Sequence, residues 1–138
     1  MTAYIDTSAL LRLVLREPGA LDELRSYDVL VSSELVAVES ARTIDRLRLQ
    51  GALTVEEAAA RLRAITDWLE AIDLVLLRPL VLSRASGPLP TSLGTLDAIH
   101  LATALIWRER MGALPTMATH DSALGLAARS FGFDVRGV

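Results

Sequence analysis

Four carboxylates stand where an acid needs a reason. Asp6 follows the apolar run of YIDTSALL, and Asp121 follows that of MATHDSALGLA. Each sits where a strand-like segment gives way to a helix-like one, and helix capping accounts for either acid alone, because Asp is a favoured N-cap. Asp97 opens LDAIHLATAL, in which the other early positions are nearly all apolar. On a helix it lines up with Leu101 and Ala104, and an unpaired carboxylate on that face is costly to desolvate. It requires a cation, a hydrogen-bond donor or a wet cleft, and His100 at i+3 is the partner that spacing offers. Glu39 has Arg42 and Arg46 at i+3 and i+7, which by spacing reads as an ordinary exposed ion pair. Glu34 reads as a helix-start acid favoured by the helix dipole.

Together the acids suggest more than capping. Clustered carboxylates raise one another's pKa values unless a cation is present. The chain has no cysteine, so the ligands on offer are oxygens, which suit Mg2+ or Mn2+ rather than zinc. Such a site binds phosphate oxygens, activates water and steadies the leaving oxygen of a phosphodiester. All 14 basic residues are arginines, so no lysine-based Schiff base or phosphate clamp is available. The formal net charge of −3 excludes a broadly cationic nucleic-acid binder. Bound cations would reverse the sign of the site locally.

The elements that must position these residues alternate along the chain. Strands are expected at Ala3–Ile5, Asp28–Ser33, Ile72–Leu77, Leu114–Thr119 and Phe133–Arg136. A helix capped by Thr7 or Ser8 runs to about Arg16, and a short one covers Leu21–Ser26. Longer helices cover Glu34–Gln50, the stretch from the Thr54 cap to about Ala71, Leu96–Arg110 and Asp121–Ser130, and a short piece begins at Pro79. Residues 86–95 read as a loop. The 138 residues suggest one domain over 1–138. Strands alternating with helices predict a mainly parallel sheet covered on both faces, with ligands beyond the carboxyl ends of its strands. No apolar run approaches the roughly 18 residues of a membrane span, and Met1–Asp6 offers no signal-peptide pattern. A cytoplasmic protein without membrane attachment is expected.

The segments YIDTSALLRL, SSELVAVESAR, LGTLDAIHLATAL and MATHDSALGLAARSFGFDV occur in an order and spacing that resembles the PIN-domain ribonucleases, and within them the VapC-type toxins of type II toxin–antitoxin pairs. The resemblance spans nearly the whole chain. It implies a PIN-like three-layer α/β/α domain and Mg2+- or Mn2+-dependent hydrolysis of RNA. It further implies that Asp6 and Asp97 are the central metal ligands, that Glu39 completes the cluster directly or through water, and that Asp121 is the fourth acid. All four are then expected to be catalytic. Ser8 and Thr119 match polar positions that orient water or ligands. His100 lies within the third segment and is assigned no catalytic role. Arg12 with Arg16, and Arg42 with Arg46, are spaced to grip an RNA backbone, although single exposed arginines on helices often only solvate. The expected partners are an RNA substrate, a second copy of the chain, and a VapB-like antitoxin laying a helix over the 34–71 helices.

Two rivals stand beside this reading. An aspartyl-phosphate enzyme with Asp6 as nucleophile would want a lysine near the phosphate and, in one common form, a second Asp where Ser8 stands. A non-catalytic protein-interaction module would use the acids only as helix caps.

Overall fold

The alternation of Ala3, Tyr4 and Ile5 decides the layering of the molecule. The computed structural model describes residues 1–138. In it, strand β1 (Thr2–Ile5) is buried from Ala3 onward. Ala3 and Ile5 join one apolar cluster and Tyr4 joins another, because successive strand side chains point to opposite faces. The same alternation separates Leu30 from Val31 in β2 (Val29–Ser33), and Ala118 from Met117 in β4 (Thr116–Ala118). Strands buried on both faces belong in a parallel sheet. The sheet is parallel throughout, in the order β3-β2-β1-β4-β5, with β3 at Ile72–Val75 and β5 at Val135–Arg136.

Helices α1 (Thr7–Val14), α2 (Leu35–Leu49) and α3 (Val55–Glu70) supply the cluster around Ala3 and Ile5. Helices α5 (Thr95–Met111) and α6 (Ser122–Ser130) cover the Tyr4 face through Leu101, Leu105, Leu124 and Ala128. Helix α4 (Pro79–Ala85) packs outside α5, with Val81 against Ala102 and Ile106. Caught between sheet and α4, α5 is buried almost all round, which is why its sequence shows so little polar face. The expected α/β/α sandwich is therefore what forms. No helix is long and apolar enough to cross a membrane.

The strand order places the site. From β1 the chain goes outward to β2 and β3, then returns through α4 and α5 to β4 on the other side of β1. The order reverses at β1, so the carboxyl ends of β1 and β4 flank a crevice of the kind that binds ligands in open parallel sheets.

Several boundaries differ from expectation for local reasons. Strand β3 stops at Val75, and α4 starts with Pro79 at its first turn, where the missing N–H costs nothing. Strand β4 begins only after Pro115, which cannot donate to a ladder. The segment expected as a helix over Leu21–Ser26 is a 3-10 helix over Asp22–Ser26. Helix α1 ends at Val14 rather than Arg16, because Arg16 takes a left-handed φ of 56°. The Glu17 N–H reaches back to the Arg12 carbonyl at 3.0 Å and the Arg16 N–H to that of Leu13 at 3.2 Å. That is a Schellman cap with arginine where glycine is usual.

Candidate active site

The first acid is held from every side. Asp6 ends β1 and is itself the N-cap of α1, in place of the expected Thr7 or Ser8, its Oδ1 accepting the Ala9 N–H at 2.9 Å. Ser8 Oγ stands 2.8 Å from both carboxylate oxygens, and Thr119 Oγ1 donates to Oδ2 at 2.7 Å. Those two hydroxyls are aimed by backbone groups of the β4–α6 turn. The His120 N–H donates to Ser8 Oγ at 2.8 Å and the Asp121 N–H to Thr119 Oγ1 at 2.9 Å, which turns both hydroxyl protons toward Asp6. The turn is braced in turn by β5, where the Thr119 N–H reaches the Arg136 carbonyl at 3.0 Å. Gly137, at φ 105°, passes so close that a Cβ would fall 2.3 Å from the Thr119 carbonyl oxygen, and only glycine fits there. Burial raises the Asp6 pKa above the ordinary carboxylate value, against the pull of the Ala9, Thr119 and Ser8 donors.

Asp97 lies in the first turn of α5 and is half-buried. No protein donor reaches its carboxylate. Its pKa is pushed up to about 6 by burial first, then by the negative charges of Asp121, Asp6 and Glu39. Asp97 is thus electrostatically coupled to all three other candidate acids. Asp121 is the N-cap of α6, with Oδ1 accepting the Leu124 N–H at 2.9 Å. The capping explanation holds for Asp6 and Asp121, but it accounts for neither Asp97 nor Glu39.

Glu39 corrects two expectations from spacing. It does not pair with Arg42, which is bound to Asp45 at 3.0 Å. It pairs with His100, which therefore does not serve Asp97: His100 Nε2 lies 2.7 Å from Glu39 Oε1. Thr7 Oγ1 donates to the same oxygen at 2.6 Å. Burial pushes the Glu39 pKa up, but the His100 and Thr7 hydrogen bonds outweigh it and hold the carboxyl below its ordinary value. The sequence offered Thr7 only as a possible helix cap and Tyr4 only as a residue of the first strand. Their one signal was position, since both flank Asp6 in a strand-to-helix turn.

Glu39 also lines a cleft of about 300 Å³ with Thr7, Leu35, Arg42, Arg46 and Leu96. Arg42 and Arg46 are thereby brought beside Glu39. Arg12 and Arg16 are not. They lie at the far end of α1 from Asp6, with Arg12 3.7 Å from Glu17 and Arg16 within the helix-terminating turn. At about 1.5 Å of rise per residue, Arg12 is roughly 9 Å along the axis from the Asp6 cap. The largest cavity, about 510 Å³ between α4, α5 and the loop before α5, contains none of the four acids.

The donor set suits a hard dication: carboxylate oxygens and hydroxyls, with no thiol, and with both nitrogens of His100 already engaged. No three Asp, Glu or His side chains are drawn together into a ready ligand cage. Asp97 and the outer oxygens of Asp121 and Glu39 are free of protein donors, and the hydrogen-bonded Asp6 oxygens keep acceptor capacity, so all four acids could contribute to holding a cation. Asp6, 3 % exposed and with both oxygens hydrogen-bonded, is a poor nucleophile for the aspartyl-phosphate alternative.

Comparison with known proteins agrees with this geometry. The PIN domain family matches residues 3–124. Ribonuclease VapC46 of Mycobacterium tuberculosis (strain ATCC 25618 / H37Rv) is 38% identical over 133 residues, covering 96% of this chain and 94% of that protein. Ribonuclease VapC47 of Mycobacterium tuberculosis (strain CDC 1551 / Oshkosh) is 33% identical over 134 residues, covering 94% and 92%. A parallel sheet whose order reverses at Asp6, an acid set along its carboxyl edge, and similarity along nearly the full chain converge on one assignment: this chain belongs to the PIN-domain family, in its VapC-type branch.

Proposed function

We propose that the chain is a metal-dependent endoribonuclease, the toxin of a toxin–antitoxin pair, which hydrolyses RNA phosphodiester bonds with Mg2+ or Mn2+ held by Asp6, Glu39, Asp97 and Asp121. Family membership and the ribonuclease names of both relatives support the reaction class. The observation that carries the assignment of the site is Asp97: a half-buried carboxylate without a protein donor, surrounded by three like charges. A structural acid would have a partner, whereas an acid kept for a cation has this environment.

Bound Mg2+ or Mn2+ supplies neutralisation of the scissile phosphate and acidification of the attacking water. The protein's own groups divide the remaining work. Asp6, fixed by three hydrogen-bonding residues, gives the site a rigid floor. Glu39, held ionised, offers Oε2. Asp97, whose charge burial and three acidic neighbours disfavour in the metal-free protein, is the acid that a bound cation would stabilise most. Ser8 and Thr119 hold Asp6 in place rather than touching RNA. Arg46 and Arg42 line the adjoining cleft and suit backbone phosphates.

The same cleft, with Val38 and Leu96 exposed along it, fits the apolar face of a VapB-like antitoxin helix. A second copy is expected to cover the β3 edge and α4, where Leu74, Leu76, Leu80 and Leu82 are exposed. An RNA substrate implies a cytoplasmic site of action. Expression of wild type and Asp97→Asn, followed by sequencing of new RNA ends, tests the reading. Cleavage by the wild type and none by the variant is expected; equal cleavage by both overturns the site.

A further inference from the structure

His100 is 2 % exposed, and a buried imidazole is tolerated only when both ring nitrogens find partners. They do so through a chain that crosses the molecule. The Ser33 N–H donates to Tyr4 Oη at 3.2 Å, and Tyr4 Oη lies 2.8 Å from His100 Nδ1. On the other side Nε2 lies 2.7 Å from Glu39 Oε1 and 3.3 Å from Thr7 Oγ1. The chain has a direction. Glu39 Oε1 only accepts, so Nε2 carries the hydrogen. Nδ1 then accepts from the Tyr4 hydroxyl, whose oxygen in turn takes the Ser33 N–H. The Tyr4 and His100 rings meet edge to face, with centroids 5.9 Å apart, which fixes the imidazole plane.

The effect on Glu39 is specific. Its side chain projects from α2 and is 18 % exposed, and the apolar residues beside it in the cleft cannot by themselves direct its carboxylate oxygens. Two donors instead share Oε1: Thr7 from α1 and His100 from α5. With Oε1 held, Oε2 is left without a protein donor, on a carboxylate close enough for its charge to act on Asp97. We propose that His100, oriented by Tyr4, is a positioning residue that pins Glu39 Oε1 so that Oε2 is presented to a divalent cation. His100 does not itself ligate the ion, because neither nitrogen is free. The inference rests on the metal-dependent reading above, and its test separates the two.

The test uses the full chain and Mn2+ as the probe, with affinity measured by calorimetry and folding by circular dichroism and thermal melts. His100→Leu removes both hydrogen bonds, His100→Gln keeps an N–H able to reach Glu39, and Tyr4→Phe removes only the orienting hydroxyl. Loss of a hydrogen bond that orients a ligand typically weakens metal binding 10- to 100-fold. His100→Leu is expected to weaken Mn2+ at least about tenfold, Tyr4→Phe about threefold, and His100→Gln to stay within about threefold of wild type. RNA cleavage by His100→Leu should fall at low Mn2+ and recover at saturating Mn2+. A folded His100→Leu with wild-type affinity overturns the inference. So does equal loss in the Leu and Gln variants, which assigns the imidazole a packing role. If His100→Leu does not fold, Tyr4→Phe decides: weakened Mn2+ supports the inference and wild-type affinity overturns it. Asp97→Asn is measured alongside. If it too binds Mn2+ like the wild type, the metal site itself has failed; if it alone loses Mn2+, only the positioning role has.

Discussion

Asp6 and Asp97 are the same residue type at the same edge of one sheet, yet they are built in opposite ways. Asp6 is buried and receives a backbone N–H and two hydroxyl protons. Asp97 is half open and receives none, and both burial and like charge act against its carboxylate. The fold locks Asp6 in place through these donors, which offset part of the cost of burying it, whether or not a cation is present. It leaves Asp97 destabilised until something positive arrives. Asp6 is thus part of the architecture and Asp97 is the acid proposed to meet a cation, so removing them should have opposite consequences for stability.

Asp6→Ala is the largest expected effect. It strands the Ala9 N–H and turns two hydroxyls toward an empty space, in a region with little access to water. Loss of a cap costs about 1 kcal/mol and buried unsatisfied donors about 1–3 kcal/mol more. A total near 3 kcal/mol lowers Tm by roughly 8 °C in a chain of this size, with RNA cleavage abolished. Thermal or urea melts check it, and an unchanged melt would mean that the hydrogen bonds around Asp6 are not what holds this corner together.

Asp97→Asn should abolish cleavage as completely while raising the stability of the metal-free protein. The folded-state pKa of about 6 exceeds the ordinary aspartate value of 3.8. The folded protein therefore binds the Asp97 proton more tightly than the unfolded chain does. Its contribution to stability is present below pH 3.8 and is lost as pH rises through 6. Because the group is half exposed, the gain from removing its charge at pH 7 is put at about 1 kcal/mol, well under what the shift alone would imply. Metal-free wild type should melt higher at pH 5 than at pH 7, and the variant should show a smaller difference. Asp6, also shifted upward, keeps some pH dependence in both. Glu39, shifted downward, loses its contribution only at lower pH, as pH falls through its folded value.

Thr119→Val probes the Asp6 side alone. It is nearly the same size, but it removes one donor to Asp6 and the acceptor for the Asp121 N–H. The expected loss is about 1–2 kcal/mol in melts, with Mn2+ affinity reduced less than in Asp97→Asn.

How much of this was legible in the sequence follows the range of each interaction. Short-range pattern carried the strands, the helices, and the placement of Asp6 and Asp121 at strand-to-helix turns. Among the three cap candidates that the sequence offered there, Asp6, Thr7 and Ser8, it is Asp6 that caps α1, with the φ of −86° and ψ of 172° of an N-cap. Glu39 was misread because i+3 and i+7 spacing offers only neighbours on its own helix. Its real partner, His100, is 61 residues away and reaches it only after α2 and α5 have packed on opposite faces of the sheet. The same limit explains Arg12 and Arg16. Their i, i+4 spacing equals that of Arg42 and Arg46, and only the direction in which α1 runs from Asp6 separates the pairs. The importance of Tyr4 was hidden because a tyrosine in an apolar strand reads as core, which it also is.

Asp121 stands between the two extremes and yields the smallest expected effect. Its Oδ1 caps α6 as Asp6 caps α1, while its charge helps raise the Asp97 pKa. Asn is as good an N-cap as Asp, so Asp121→Asn should leave Tm within about 1 °C of wild type. The charge is lost, however, and Asp97 should then titrate at lower pH than in the wild type, which side-chain NMR of the metal-free protein reads directly. A lowered Asp97 pKa with an unchanged melt would separate the two roles within one side chain. If the pKa does not move, burial with the Asp6 and Glu39 charges sets it, and Asp121 drops out of the electrostatic half of the contrast between Asp6 and Asp97. If instead Tm falls by several degrees, Asp121 belongs with Asp6 among the acids the architecture needs.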